Sequence, residues 1–143
     1  MKILELGAVN WLAVGACVLL MLALRARMIW FAPPKLYPVL WERLGIERTD
    51  APKLTPLSAA LVIAASFVQA VFLALFINAI GNFTGEPDMG TGGLAGMMLG
   101  LGAVAPAKLV DKVFSGQYAS WVSESINHFM LYITCGLILG AWR

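Results

Sequence analysis

The chain has 143 residues, 60% of them hydrophobic and 13% charged, with a formal net charge of +2. Soluble domains carry about a quarter charged residues, so water is not this chain's main solvent. A charge this small, gathered mostly in one stretch, argues against a nucleic-acid partner and for contact with a lipid bilayer.

The first apolar run lies over residues 9–31, with Trp11 and Trp30 near its ends. It has the roughly 20 residues needed to cross a hydrocarbon core about 30 Å thick, and its two indoles suit the interfacial aromatic belt. Glu5 sits ahead of it, the apolar stretch continues to Leu24, and the positive charge follows. That order is expected of an uncleaved anchor with its N-terminus outside, not of a signal peptide. Pro33 and Pro34 then end the helix, since neither has an N–H to give and each restricts the residue before it.

The stretch from Arg25 to Lys53 holds Arg25, Arg27, Lys35, Arg43, Arg48 and Lys53, six of the ten cationic side chains. Short cationic loops stay on the cytoplasmic side during insertion. Within it, Leu36, Tyr37, Leu40, Trp41 and Leu44 form an apolar stripe at helical spacing, expected to be a short interfacial amphipathic helix over residues 36–44. The competing reading is a loop with scattered apolar residues.

A second crossing is expected over residues 57–80, after Pro56, and the connection GNFTGEPDMG that follows has two acids and no cation, which suits the outer face. A third, short and glycine-rich, is expected over residues 91–108. In it Gly92, Gly96 and Gly100 recur every four residues, a ridge that lets a neighbouring helix approach to backbone contact. Pro106 frees the carbonyl of Gly102, so a kink is expected in the last turn, with LVDKVF continuing along the interface. The fourth crossing is expected over residues 121–142, between Trp121 and Trp142. Lys108 and Lys112 precede it, so eight cations fall inside against Lys2 and Arg143 outside. The expected fold is an all-α integral membrane protein, with four transmembrane helices in an up-down bundle and both termini external.

Together, VNWLAVGACVLLMLAL, IWFAPPKLYPVLW, the glycine-rich third segment and VFSGQYASWVSESINHFMLYITCGLILGAW resemble the bacterial four-helix membrane protein family catalogued as domain of unknown function 1761. The resemblance covers nearly the whole chain. It rests on Asn10-Trp11, Trp30-Phe31, Trp41, Phe114-Ser115-Gly116, Asn127 and the ending Gly136…Gly140-Ala141-Trp142. It implies the same architecture and a bacterial inner membrane with periplasmic termini, and it implies no activity. The chain departs from the family at Arg25 and Arg27, where small or apolar residues are usual.

Charged groups deep in a membrane helix cost about 2.5–3.5 kcal/mol each, so each one needs a reason. At 1.5 Å per residue, Arg25 and Arg27 lie about 7 and 5 Å inside the level of Trp30, and Glu124 lies at a similar depth from Trp121. One arginine is expected to pair with Glu124 while the other snorkels to headgroups; the competing reading has both snorkelling. Glu124, Asn127 and His128 share a region of the last segment, and with the arginines they form the expected intramembrane polar cluster. A carboxylate beside an imidazole can relay protons, but no second histidine or nucleophile completes a site, so His128 is expected to be structural. Asn10, Gln69 and Asn78 are expected to make interhelical hydrogen bonds. Cys17 and Cys135 lie in apolar runs at similar depth, with no CxxC or Cys/His cluster, and are expected to be inert. No metal or other cofactor is expected.

The expected function is a non-catalytic structural or accessory subunit, a homo-oligomer or part of a larger membrane complex, with the glycine ridge as its contact surface. The alternative is an oligomeric channel or transporter with an Arg/Glu/His polar path. A membrane enzyme is the least favoured class.

Overall fold

The computed structural model describes residues 7, 9–30, 55–85, 87–114, 116 and 118–142, without the side chains of residues 25–30, 84, 111, 119, 120 and 123. The expected interfacial helix over 36–44 lies outside the described residues. All regular structure among the described residues is helical. Helix α1 is Trp11–Trp30, α2 is Pro56–Thr84, and α5 is Tyr118–Ala141. Between them, α3 (Met89–Leu99), a π-helical stretch (Gly100–Val104) and α4 (Ala105–Phe114) run on without interruption.

Each end has a local cause. Helix α2 starts at a capping box in which the Thr55 hydroxyl accepts from Ser58 N at 3.1 Å and Ser58 Oγ accepts from Thr55 N at 3.0 Å. It stops at Gly85, whose φ of +108° is accessible to glycine. Asp88 then caps α3, its Oδ1 accepting from Thr91 N at 2.7 Å and from the Thr91 hydroxyl at 2.9 Å. These bonds hold the Asp88 carboxyl below the usual carboxylate range. Asn10 does the same for α1, its Oδ1 accepting from Leu12 N and Ala13 N.

The third helix differs from expectation. It begins two residues earlier, at Met89, and reaches Phe114 instead of ending near Lys108. Helical hydrogen bonding continues past Pro106. Ahead of the proline the backbone widens into a π turn, with Ala105 N–H donating to Gly100 O five residues back, which gives room where the pyrrolidine ring would otherwise crowd the carbonyl of Gly102.

Helices α3 and α5 run antiparallel in the closest contact of the molecule. A Cβ placed on Gly92 would fall on the carbonyl of Gly136, one on Gly96 on the carbonyl of Tyr132, and one on Gly140 on the carbonyl of Asp88. Gly100 meets Phe129 Cα at 3.2 Å by the same construction. Two glycine ridges thus mesh backbone to backbone. The apolar core lies beside this seam, with Ala13, Cys17 and Met21 from α1 and Ala70, Leu73 and Ile77 from α2 packed toward Tyr132 and Cys135 of α5.

Two helices, Pro56–Phe83 and Met89–Phe114, are long and apolar enough to cross a membrane. A soluble core helix could match them in length and composition but would be mostly buried. Here only 28% and 17% of their apolar windows are buried, and Leu61, Phe67, Val68 and Phe72 of α2 are exposed. Helices that are apolar on every side and packed on only one suit an apolar surrounding.

Candidate functional site

At the end of the bundle where α1 and α5 begin and end, Asn10 Nδ2 donates to the carbonyl of Trp142 at 3.2 Å. Asn10 therefore ties the start of α1 to the finish of α5, while also capping its own helix. Ala74, Ile77 and Asn78 of α2 line a half-open cleft of about 330 Å³ beside this tie, together with Asn10, Leu139 and Trp142. Gln69 and Asn78 are both half-buried on α2. The α2–α3 turn lies at this same end, since Asp88 O abuts Gly140.

One level deeper, Cys17 and Cys135 are both free and fully buried. Cys17 Sγ lies 3.6 Å from the carbonyl oxygen of Cys135, and Cys135 Sγ lies 4.0 Å from that of Cys17. The equal depth expected of them is realised, and each thiol acts as a weak donor to the opposite backbone.

Lys108, Lys112 and Glu124 gather at the other end, below the π turn. Glu124 of α5 holds two lysines of α4: Oε2 meets Lys108 Nζ at 3.2 Å and Oε1 meets Lys112 Nζ at 3.1 Å. Four residues apart, the lysines share one face of α4. Trp121 Nε1 donates to the carbonyl of Ala105 at 2.8 Å and fixes the spacing of the same two helices. His128 Nδ1 is 2.7 Å from the backbone carbonyl of Glu124. A carbonyl oxygen only accepts, so Nδ1 carries the proton and the ring is tied back onto its own helix. Asn127 is on the exposed side of α5. Ser125 Oγ is enclosed with no partner among the described residues.

The expected arginine partner of Glu124 falls on side chains outside the described residues; Arg25 and Arg27 lie in the last two turns of α1. The lysines, taken from sequence only as markers of sidedness, are the ones found on Glu124. Gly92, Gly96 and Gly100 do form a packing face, but the partner is α5 of the same chain, through Gly136 and Gly140. The signal for this was in the sequence, since Gly136 and Gly140 repeat the four-residue spacing. Among the described residues no group of three or more His, Cys, Asp or Glu is placed to hold a metal ion.

Helix α4 is amphipathic in an inverted sense. Lys108 and Lys112 turn toward α5, whereas Pro106, Ala107, Val110, Val113 and Phe114 are exposed, Phe114 by 89%. In water the opposite arrangement would be favoured. The class of protein defined here is an all-helical bundle with two helices able to cross a membrane. No family model, curated protein or solved structure matches the chain.

Proposed function

We propose that the chain is a small four-crossing protein of a bacterial inner membrane, akin to the family of unknown function it resembles. In this reading both termini are periplasmic and the protein works by packing, with copies of itself or within a larger membrane complex. The observation that carries this reading is where the polar groups are spent. Asn10 bonds Trp142, Trp121 bonds Ala105, and Glu124 holds Lys108 and Lys112, each joining one helix to another, while the outward faces of α2 and α4 are apolar. Interhelical polar bonds of this kind serve as glue in a bilayer, worth about 0.6–2 kcal/mol each. Because the glycine ridge is filled by α5, a partner would meet another face, and α2 offers exposed Leu61, Val68 and Phe72.

Native mass measurement of the gently extracted protein tests the proposal. A mass above the single 15.4 kDa chain, as an integer multiple or with a second polypeptide, is expected; a lone chain at every concentration contradicts it. In the same preparations a His128→Cys variant should resist water-borne thiol reagents. Ready labelling would indicate a water-filled path instead.

A further inference from the structure

We propose that Cys17 and Cys135 are a covalent cross-linking site, at which a peroxide oxidant joins α1 to α5 by a disulfide across the core. The inference goes beyond the packing role above: it rests on how these two helices meet and needs no partner protein.

The first support is reciprocal contact. Cys17 Sγ lies 3.6 Å from the carbonyl oxygen of Cys135, Cys135 Sγ lies 4.0 Å from that of Cys17, and the two thiols are close enough to interact with each other. One such contact arises whenever a single side chain reaches across. Both together place the two side chains beside each other in one gap, and a disulfide, with its Cβ atoms about 3.8 Å apart, spans a gap of that order. Both residues are free and fully enclosed. Access is the second support. The half-open cleft beside Asn10 and Trp142 is also lined by Leu139, one helical turn, about 6 Å, from Cys135 along α5. Its volume of about 330 Å³ has room for hydrogen peroxide, since a water molecule occupies about 30 Å³ in the liquid.

Peroxide oxidises one thiol to a sulfenic acid and releases one water; the second thiol condenses with that sulfenic acid, forming the S–S bond and releasing a second water. Two S–H bonds and the O–O bond break, and two electrons pass from sulfur to oxygen. Enclosure slows the first step, so the bond forms when the cleft end opens and afterwards holds it shut. The joined residues are 118 apart in sequence, and the closed loop therefore contains α2, α3 and α4 entire. The hydrogen bond from Asn10 to Trp142 gains a covalent counterpart one level deeper.

The test exposes the full chain in mild detergent to hydrogen peroxide, then denatures it, counts maleimide-reactive thiols and maps linked peptides by mass. The wild type should lose both thiols together, yield a peptide linked through Cys17 and Cys135, and regain both thiols with reductant. Its unfolding temperature should be higher by roughly 10 °C than that of the same oxidised sample after reduction. C17S and C135S should give no link within the chain. C17S/V18C, which turns the thiol about 100° around α1, should link far more slowly. All variants compared are folded by circular dichroism before oxidation. Persistence of both thiols under conditions that oxidise the denatured chain overturns the site, as do a disulfide between chains, separate sulfinic acids without an S–S bond, and a link in C17S/V18C as fast as in the wild type.

Discussion

Helix α5 is gripped by one long neighbour in two different ways, above and below the π turn. Above it, α3 and α5 touch through glycines with no side chain between them. Below it, α4 and α5 stand far enough apart to hold Trp121, two lysines and a glutamate. The difference teaches where each kind of contact pays: backbone packing needs no solvent and suits the dry middle, whereas long charged side chains suit a level where headgroups and water are near. Gly100–Val104, ahead of Pro106, is the point where one regime gives way to the other.

The largest expected effect breaks the upper contact. Gly92→Ala puts a methyl group onto the Gly136 carbonyl, and overpacking against backbone should cost about 2 kcal/mol or more. Gly102→Ala, the same change where nothing lies within 4 Å, should be neutral or gain up to about 1 kcal/mol from helix propensity. Thermal unfolding in detergent compares the two, and equal losses would contradict the meshed seam.

The lower contact should be more tolerant. Trp121→Phe keeps an aromatic ring, though a smaller one, and removes the bond to Ala105, at a cost of about 1 kcal/mol for the bond. Glu124→Gln should cost at most a similar amount, since partly exposed ion pairs are worth about 0–1 kcal/mol. The same unfolding assay applies, and a Trp121→Phe loss as large as that of Gly92→Ala would contradict the division. Asn10→Ala, which removes both the cap and the tie to Trp142, is expected near 1 kcal/mol.

The smallest effect is that of pH at the α3 cap. Asp88 has a lowered folded pKa because it accepts from Thr91. Its contribution is therefore fully present above the usual carboxylate pKa and is lost as pH falls through the lower folded value. In an acid titration of stability, Asp88→Asn, which can still accept, should flatten this component. An unchanged profile would remove Asp88 from the account.

Much of this fold was legible from sequence. The four apolar runs and the glycine ridge each depend on a few neighbouring residues, and four helical stretches lie where the runs are. Two features were not legible. The continuation of the third helix to Phe114 depends on how the backbone accommodates Pro106, and spacing does not reveal the π turn that does so. The partner of Glu124 depends on register between two helices. Depth estimated from Trp30 and Trp121 matched Glu124 to an arginine whose side chain lies outside the described residues, and it did not foresee that the antiparallel pairing of α4 with α5 brings Lys108 and Lys112 to the carboxylate. Gly136 and Gly140 had the spacing of Gly92 and Gly96, yet only the assembled pair shows that the two ridges meet each other.

The central claim is that this hairpin passes through lipid, with the α2–α3 turn on one side and the α4–α5 corner on the other. It is tested most directly by labelling Asn82→Cys and Tyr118→Cys variants in intact and permeabilised cells with a membrane-impermeant maleimide, the buried Cys17 and Cys135 staying silent. The account predicts labelling of Asn82→Cys in intact cells and of Tyr118→Cys only after permeabilisation; labelling of both from the same side would contradict it.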